Sequence, residues 1–365
     1  MAHVPVRVAP ILERHLVKLG RTLTAALALS ALALTAACGG SSQESTTTAA
    51  PGGKAPALRL GYFANVTHAG AVYGLAGGGF QKALGSTTIT PSVFNAGPAA
   101  IEALAGGAID ATFIGPNPSI NGYANSGGKL LRIVAGTTYG GAALVVSPDI
   151  TDVSQLAGKK IATPQLGNTQ DVAAKAYFKE KGVEGVEILN QDNAVTLDLL
   201  TRGEIDGGWV PEPWASRLQI EGGGKLLVDE ATLWPEGKFV TTNLVVRQDF
   251  LAKYPGTVDD LLKGLIEATA AVGKKTPEVQ DVVNKQIEKD TGKALSAPVL
   301  AAAFKNLTPS LDPVASSLAK SAADAAAVGV SQGSVDLKGI YDLRPLNALL
   351  KAAGKAEVAD GGLGV

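Results

Sequence analysis

The chain has 365 residues, 46% of them hydrophobic and 18% charged, a globular profile that suggests about two domains and excludes a wholly disordered or collagen-like chain. With 32 Lys+Arg against 33 Asp+Glu the net charge is −1, and no basic block offers a surface to nucleic acid, which drops out as a partner. One cysteine, Cys38, and three histidines, His3, His15 and His68, rule out a disulfide framework, a multi-cysteine metal site and a His-rich catalytic centre, so neither metal nor cofactor is expected.

The first segment reads as an address. Arg7, Arg14, Lys18 and Arg21 stand against one acid, Glu13, ahead of the apolar run Thr22–Ala37. That run is shorter than the ~20 residues a membrane-spanning helix needs. It ends in Leu34-Thr35-Ala36-Ala37-Cys38-Gly39, which resembles a bacterial lipobox, with Thr35 in place of the usual aliphatic residue. The resemblance implies that residues 1–37 are removed as a signal peptide and that Cys38 is acylated. Residues 38–56, rich in Gly, Ser, Thr and Pro, read as a flexible tether, which makes the rest a domain held at a membrane surface by lipid alone.

From Leu58 onward, short β-rich runs alternate with amphipathic Ala/Leu segments, the pattern of α/β units around largely parallel sheets. The first set predicts strands at Leu58–Phe63, Thr87–Phe94 and Ile109–Ile114. Helices are predicted at Ala69–Leu84, broken at Gly77-Gly78-Gly79, at Pro98–Ala105, and from Pro118. Strands Leu131–Thr137 and Ala143–Val146 flank a crossover at Tyr139-Gly140-Gly141. A second set follows, with strands Lys160–Thr163, Val186–Leu189 and Ile205–Val210 and helices Gln170–Lys181, Ala194–Thr201 and Trp214–Glu221. Phe239–Val246 is another strand, and residues 248–353 read as helix after helix. One set, a second set and a helical return predict lobe 1 at 57–141 and 243–365 and lobe 2 at 142–242. Two hinge strands would join them around a ligand cleft.

In open α/β sheets the ligand lies beyond the carboxyl ends of the strands. The turns there are Phe63–Gly70, Phe94–Pro98, Ile114–Gly122 and Thr163–Asp171, each built of Gly, Pro, Asn, Thr, Ser or Gln just before a helix. Each can present backbone N–H groups and neutral donors at a positive helix end, a way to bind an anion without an arginine. Helix capping alone would use the same residue types. The candidate ligand-binding residues are Asn65, Thr67, His68, Asn95, Asn117, Ser119, Asn168, Thr169 and Gln170. A fifth turn adds Trp209, Glu212 and Trp214, with two prolines bracketing a carboxylate between indoles. A buried carboxylate must be satisfied either by protein donors, which shapes the cleft, or by a cationic ligand group.

The segments Asn95–Leu104, Ile114–Pro118 with Ile120-Asn121-Gly122, Gln165–Ala173 and Trp209–Ser216 resemble the substrate-binding lipoproteins of ABC importers for aliphatic sulfonates, nitrate and taurine. The resemblance spans about Leu58 to Leu350 and implies a two-lobe type II periplasmic-binding-protein fold with no catalytic residues. It also implies a small anionic ligand, an aliphatic sulfonate first, and an ABC permease with its ATPase as partner. The protein would be monomeric and held on the outer face of the cytoplasmic membrane. Glu212 stands where relatives carry the Asp of a Trp-Asp-Pro motif, which in taurine binders meets the amine. An enzyme resembling the thiamine-pyrimidine synthases of the same fold is disfavoured, because it needs a Cys-rich motif. A ligand sensor would share the fold.

Overall fold

The computed structural model describes residues 53–365. The signal segment, Cys38 and most of the expected tether lie outside the described residues. The last tether residues belong to the body: Ala55 is buried, its N–H donates to Thr257 Oγ1 at 2.8 Å, and Lys54 pairs with Asp260 at 2.6 Å.

Among the described residues eleven strands form two sheets: β1 (Ala57–Tyr62), β2 (Thr88–Val93), β3 (Ala111–Ile114), β4 (Leu131–Gly140), β5 (Ala142–Val146), β6 (Lys160–Thr163), β7 (Glu187–Asn190), β8 (Gly207–Pro211), β9 (Lys225–Asp229), β10 (Val240–Arg247) and β11 (Leu307–Pro309). One sheet has the order β11-β4-β10-β3-β1-β2 and the other β7-β6-β8-β5-β9. The βα units pair in parallel, β1 with β2 and β3, and β6 with β7 and β8.

The sheets are mixed rather than largely parallel. β10 runs antiparallel to β3 and β4, and β5 antiparallel to β8 and β9. A strand that enters from the other lobe arrives from the opposite end of the sheet, so its direction is reversed. The chain crosses at Gly140-Gly141, where both residues take positive φ (77° and 74°) that only glycine adopts freely. It returns through the turns Glu230–Leu233 and Pro235–Gly237 into β10, whose pairing with β4 starts at Val240. The expected limit at 242/243 therefore falls inside a strand. β9 and β11 were not legible in the sequence: β11 is a three-residue edge strand between helices, and β9 follows Gly222-Gly223-Gly224, which reads as loop.

Each lobe has its own core. Leu60, Phe80, Phe113, Leu244 and Leu265 centre a cluster on one face of the six-stranded sheet, while Leu144, Ile161, Tyr177 and Trp209 centre one on the five-stranded sheet. The helices Pro255–Gly273 and Pro277–Thr291 return to lobe 1, supplying Leu261, Leu265 and Val283 to its core. Among the described residues no helix is long and apolar enough to cross a membrane, and no cluster of His, Cys, Asp or Glu is arranged to hold a metal.

Candidate functional site

The turns that follow β1, β2 and β3 in one sheet and β6, β7 and β8 in the other enclose one chamber of about 20 Å³. Among its lining residues are Asn65, Thr67, His68 and Asn95 from lobe 1 and Asn168, Thr169 and Gln170 from lobe 2. Seven of the expected residues thus meet across the cleft. Asn168 caps the helix Thr169–Glu180, its Oδ1 accepting from the Thr169 N–H at 2.9 Å, so its Nδ2 donors remain for the chamber. The Gln170 and Asp171 amides behind it have no partner within their own helix. Thr169 Oγ1 is buried without a partner, as is Asn193 Oδ1 at the start of the helix Asn193–Thr201. No charged side chain is among the lining residues. The potential there comes from helix N-termini and neutral N–H and O–H groups, which favours an anion.

His68 completes this neutral set. Its ring stacks on Phe63 (centroids 4.4 Å, 21°), and Nδ1 accepts from the Phe63 N–H at 3.3 Å, which places the proton on Nε2 as a donor. Burial lowers its pKa from 6.5 to about 3, so it stays uncharged across the physiological range. The folded value lies below the unfolded one, so stability is full above about pH 6.5 and falls as pH drops toward 3, by about 2 kcal/mol at pH 5. Glu230 in lobe 2 acts with the opposite sign: burial raises it to about 7, so its contribution is lost as pH rises from 4.5. The His68 part is therefore read by difference. Between pH 7 and pH 5, urea unfolding should show wild type losing about 2 kcal/mol more than His68→Gln. Equal losses would mean that His68 is protonated in the fold.

Five expected residues do not line this chamber. Asn117 Nδ2 donates to the Ser321 carbonyl at 3.1 Å, and the Ser119 hydroxyl donates to the Gly115 carbonyl at 2.9 Å, so both side chains are committed inside lobe 1. Trp209 is fully buried, packed edge-on against Tyr177 and Phe178, with its indole N–H donating to Glu230 Oε2 at 2.7 Å. The expected pair of indoles around Glu212 is therefore not formed, because alternation along β8 sends Trp209 into one core while Val210 faces another. Glu212 is buried and satisfied internally: it accepts from the Ser216 N–H (3.1 Å), the Ser216 hydroxyl (3.0 Å) and Asn306 Nδ2 (2.8 Å). Burial raises its pKa, opposed by those three donors. Trp214 donates to Asn65 Oδ1 at 3.2 Å and carries the Arg217 guanidinium over its ring at 4.5 Å.

Trp214 lines a second, outer chamber of about 400 Å³ that shares Asn65, Asn95 and Asn193 with the inner one. Val93, Phe94, Ile287 and Leu295 give it apolar walls, and Asp192, Arg217, Asp290 and Lys293 stand on its lining. Two residues escaped the sequence reading. Asn193 sits in the turn after β7, a strand-to-helix turn of the same kind as the other four. Thr241 lies on β10, and no local signal marks a strand residue as cleft wall.

Comparisons with known proteins agree with this architecture. The model of the NMT1-like family matches residues 52–287. The taurine-binding periplasmic protein of Escherichia coli (strain K12) is 30% identical over 191 residues, which cover 52% of this chain and 58% of that protein. The chain therefore spans less than two thirds of that relative's length. Among solved structures, the alkanesulfonate-binding protein SsuA from Xanthomonas axonopodis pv. citri, bound to MOPS, superimposes with a TM-score of 0.63 at 21% identity, over 76% of this chain and 92% of that one. The periplasmic nitrate-binding protein NrtA from Synechocystis PCC 6803 gives 0.69 at 15% identity, over 81% and 89%. These likenesses establish the two-sheet periplasmic-binding-protein fold.

Proposed function

The chain belongs to the NMT1-like family, and from that premise we propose that it is the extracytoplasmic substrate-binding component of an ABC importer, taking a small organic anion and delivering it to a permease with its ATPase. The observation that carries this reading is the inner chamber, where two lobes present neutral donors and helix N-termini to one point with no carboxylate among the lining residues. The protein works as a binding module, not an enzyme.

The favoured ligand is an aliphatic sulfonate, with its head between the donors of the inner chamber, which at about 20 Å³ holds about one water and must widen by separation of the lobes to admit it, and with its tail against Phe94, Trp214, Ile287 and Leu295. Identity to a taurine-binding protein supports taurine as a second reading. It ranks below because the Glu212 carboxylate already holds three protein donors and has none of its charge turned to an amine. Titration calorimetry with methane-, butane- and octanesulfonate, taurine and nitrate decides between them. Each methylene buried in the outer chamber is worth up to about 0.8 kcal/mol, about fourfold in affinity, so binding should tighten with chain length until the chamber is filled. A preference for taurine or nitrate over butanesulfonate would reassign the ligand.

Anchoring rests on Cys38. The protein is a monomer tethered through acylated Cys38 to the outer face of the cytoplasmic membrane, and Cys38→Ser should release a folded protein into the soluble fraction. Membrane association unchanged by that substitution would remove the lipid anchor from the reading.

A further inference from the structure

A cavity of about 280 Å³ shares no lining residue with either chamber. It is bounded by the helix Thr169–Glu180, by Leu233 and Trp234 after β9, and by the helix Ala315–Ala327 of the returning tail. The tail helix is fixed to lobe 1 through Ser321, whose carbonyl accepts from Asn117, and through Ser317, whose hydroxyl accepts from the Val240 N–H at 3.0 Å. It also reaches lobe 2, where Lys179 donates to the Ala327 carbonyl at 2.6 Å.

Glu230 is on the wall of this cavity, 1% exposed. Its Oε2 accepts from Trp209, but its Oε1 is buried with no hydrogen-bond partner. The Trp234 indole lies near enough to favour the ionised carboxylate without meeting hydrogen-bond geometry. The other buried carboxylates of lobe 2 are treated differently: Asp171 has four donors and Glu212 three. Nor is Glu230 a helix cap, since the adjacent turn is capped by Asp229, which accepts from the Ala231 N–H at 3.0 Å. A buried acceptor left without a donor is costly, and here the unpaired oxygen belongs to a residue that lines a cavity.

The charged groups on the remaining walls are mostly committed. Lys179 donates to the Ala327 carbonyl, Glu180 pairs with Lys181 at 3.4 Å, and Lys320, 5.1 Å from the Trp234 ring centroid, pairs with Asp324 at 2.6 Å and reaches Glu230 only through longer-range attraction, so Glu230 is the wall acid without a salt bridge. Tyr177 and Leu233 add apolar surface beside it. We propose that this cavity is a second ligand site, which takes a small organic ammonium ion whose N–H groups donate to Glu230 Oε1 while its carbon chain packs on Tyr177 and Leu233. The site is independent of whichever anion the cleft takes.

Butylammonium chloride at pH 8, where Glu230 is ionised, is a suitable probe, with 1-butanol and sodium butyrate as its neutral and anionic counterparts, followed by calorimetry and by the intrinsic tryptophan fluorescence of the full chain. Butylammonium should bind at least tenfold more tightly than butanol, and butyrate should not bind. Glu230→Gln, which keeps an acceptor for Trp209, should lower butylammonium affinity at least tenfold. Leu233→Trp, which fills the cavity from the same turn as Glu230 and keeps the carboxylate, should abolish binding. Saturating the cleft with butanesulfonate should leave butylammonium binding in place, so failure of the anion reading and failure of this one are told apart. Absence of butylammonium binding to the wild type, or equal binding to wild type and both variants, would overturn the proposal and leave Oε1 to Trp234 or to solvent.

Discussion

Asp171→Ala is expected to lower stability by about 3 kcal/mol, the lower end of what breaking a buried ion pair costs, because Lys175 keeps some solvent access. Asp171 is fully buried and ties four segments together. Its Oδ1 accepts from Thr163 Oγ1 (3.2 Å) at the end of β6 and from Asn190 Nδ2 (2.9 Å) at the end of β7, while Oδ2 accepts from the Gly167 N–H (2.9 Å) and Lys175 Nζ (2.8 Å). Its loss strands those donors and frees the turn that presents Asn168, Thr169 and Gln170. At about 2 °C per kcal/mol for a chain of this size, the melting temperature should fall by roughly 6 °C. Anion affinity should drop more than tenfold, since each buried donor is worth about 1–3 kcal/mol. Asp171→Asn, which keeps an acceptor, should be milder on both counts. A melting temperature within about 1 °C of wild type for Asp171→Ala would show that the turn is held by its backbone alone.

Gly115→Ala should weaken the anion about ten- to a hundredfold while leaving thermal stability close to wild type. Gly115 follows β3 in lobe 1 with φ −69° and ψ 163°, values open to any residue, so the substitution brings no backbone strain. A Cβ there would lie 2.5 Å from Thr169 Oγ1 of lobe 2 and 3.6 Å from the Thr241 carbonyl. Either the lobes stand further apart or Thr169 turns its hydroxyl away, and both remove a donor from the chamber. Overpacking of this kind costs about 1–3 kcal/mol, and here the cost falls on the juxtaposition of lobes rather than on either lobe's core. Calorimetry with the ligand, set beside thermal unfolding without it, separates the two effects. Wild-type affinity in Gly115→Ala would mean that this close approach plays no part in binding.

Both variants act where local chemistry and tertiary placement meet, and the sequence reached only the first. The alternation of β runs with Ala/Leu helices determined the α/β units, because periodicity is a property of neighbouring residues. The Asn, Gly, Pro and Thr turns before helices identified Asn65, Thr67, His68, Asn95, Asn168, Thr169 and Gln170 as candidates by the same local logic, and these residues share one chamber. What one strand or one turn looks like does not depend on its partner. Which side chain of a turn faces the cleft does. Ser119 and Asn117 carry the same donors as Thr169 and Asn168, but the first bonds back along its own helix and the second is taken by Ser321, 204 residues away in the chain. Trp209 and Glu212 were read together as a wall, and pleat alternation with the distant Asn306 and Glu230 separated them. The antiparallel strands were equally beyond local reach, since a strand's direction in a sheet follows from where the chain has been. The sequence by itself thus determined the fold class, the neutral chemistry of the site and most of its turns. Tertiary structure alone decided which donors remain unpaired, that Glu212 is spent inside the protein, and that a second carboxylate, Glu230, keeps one oxygen without a partner.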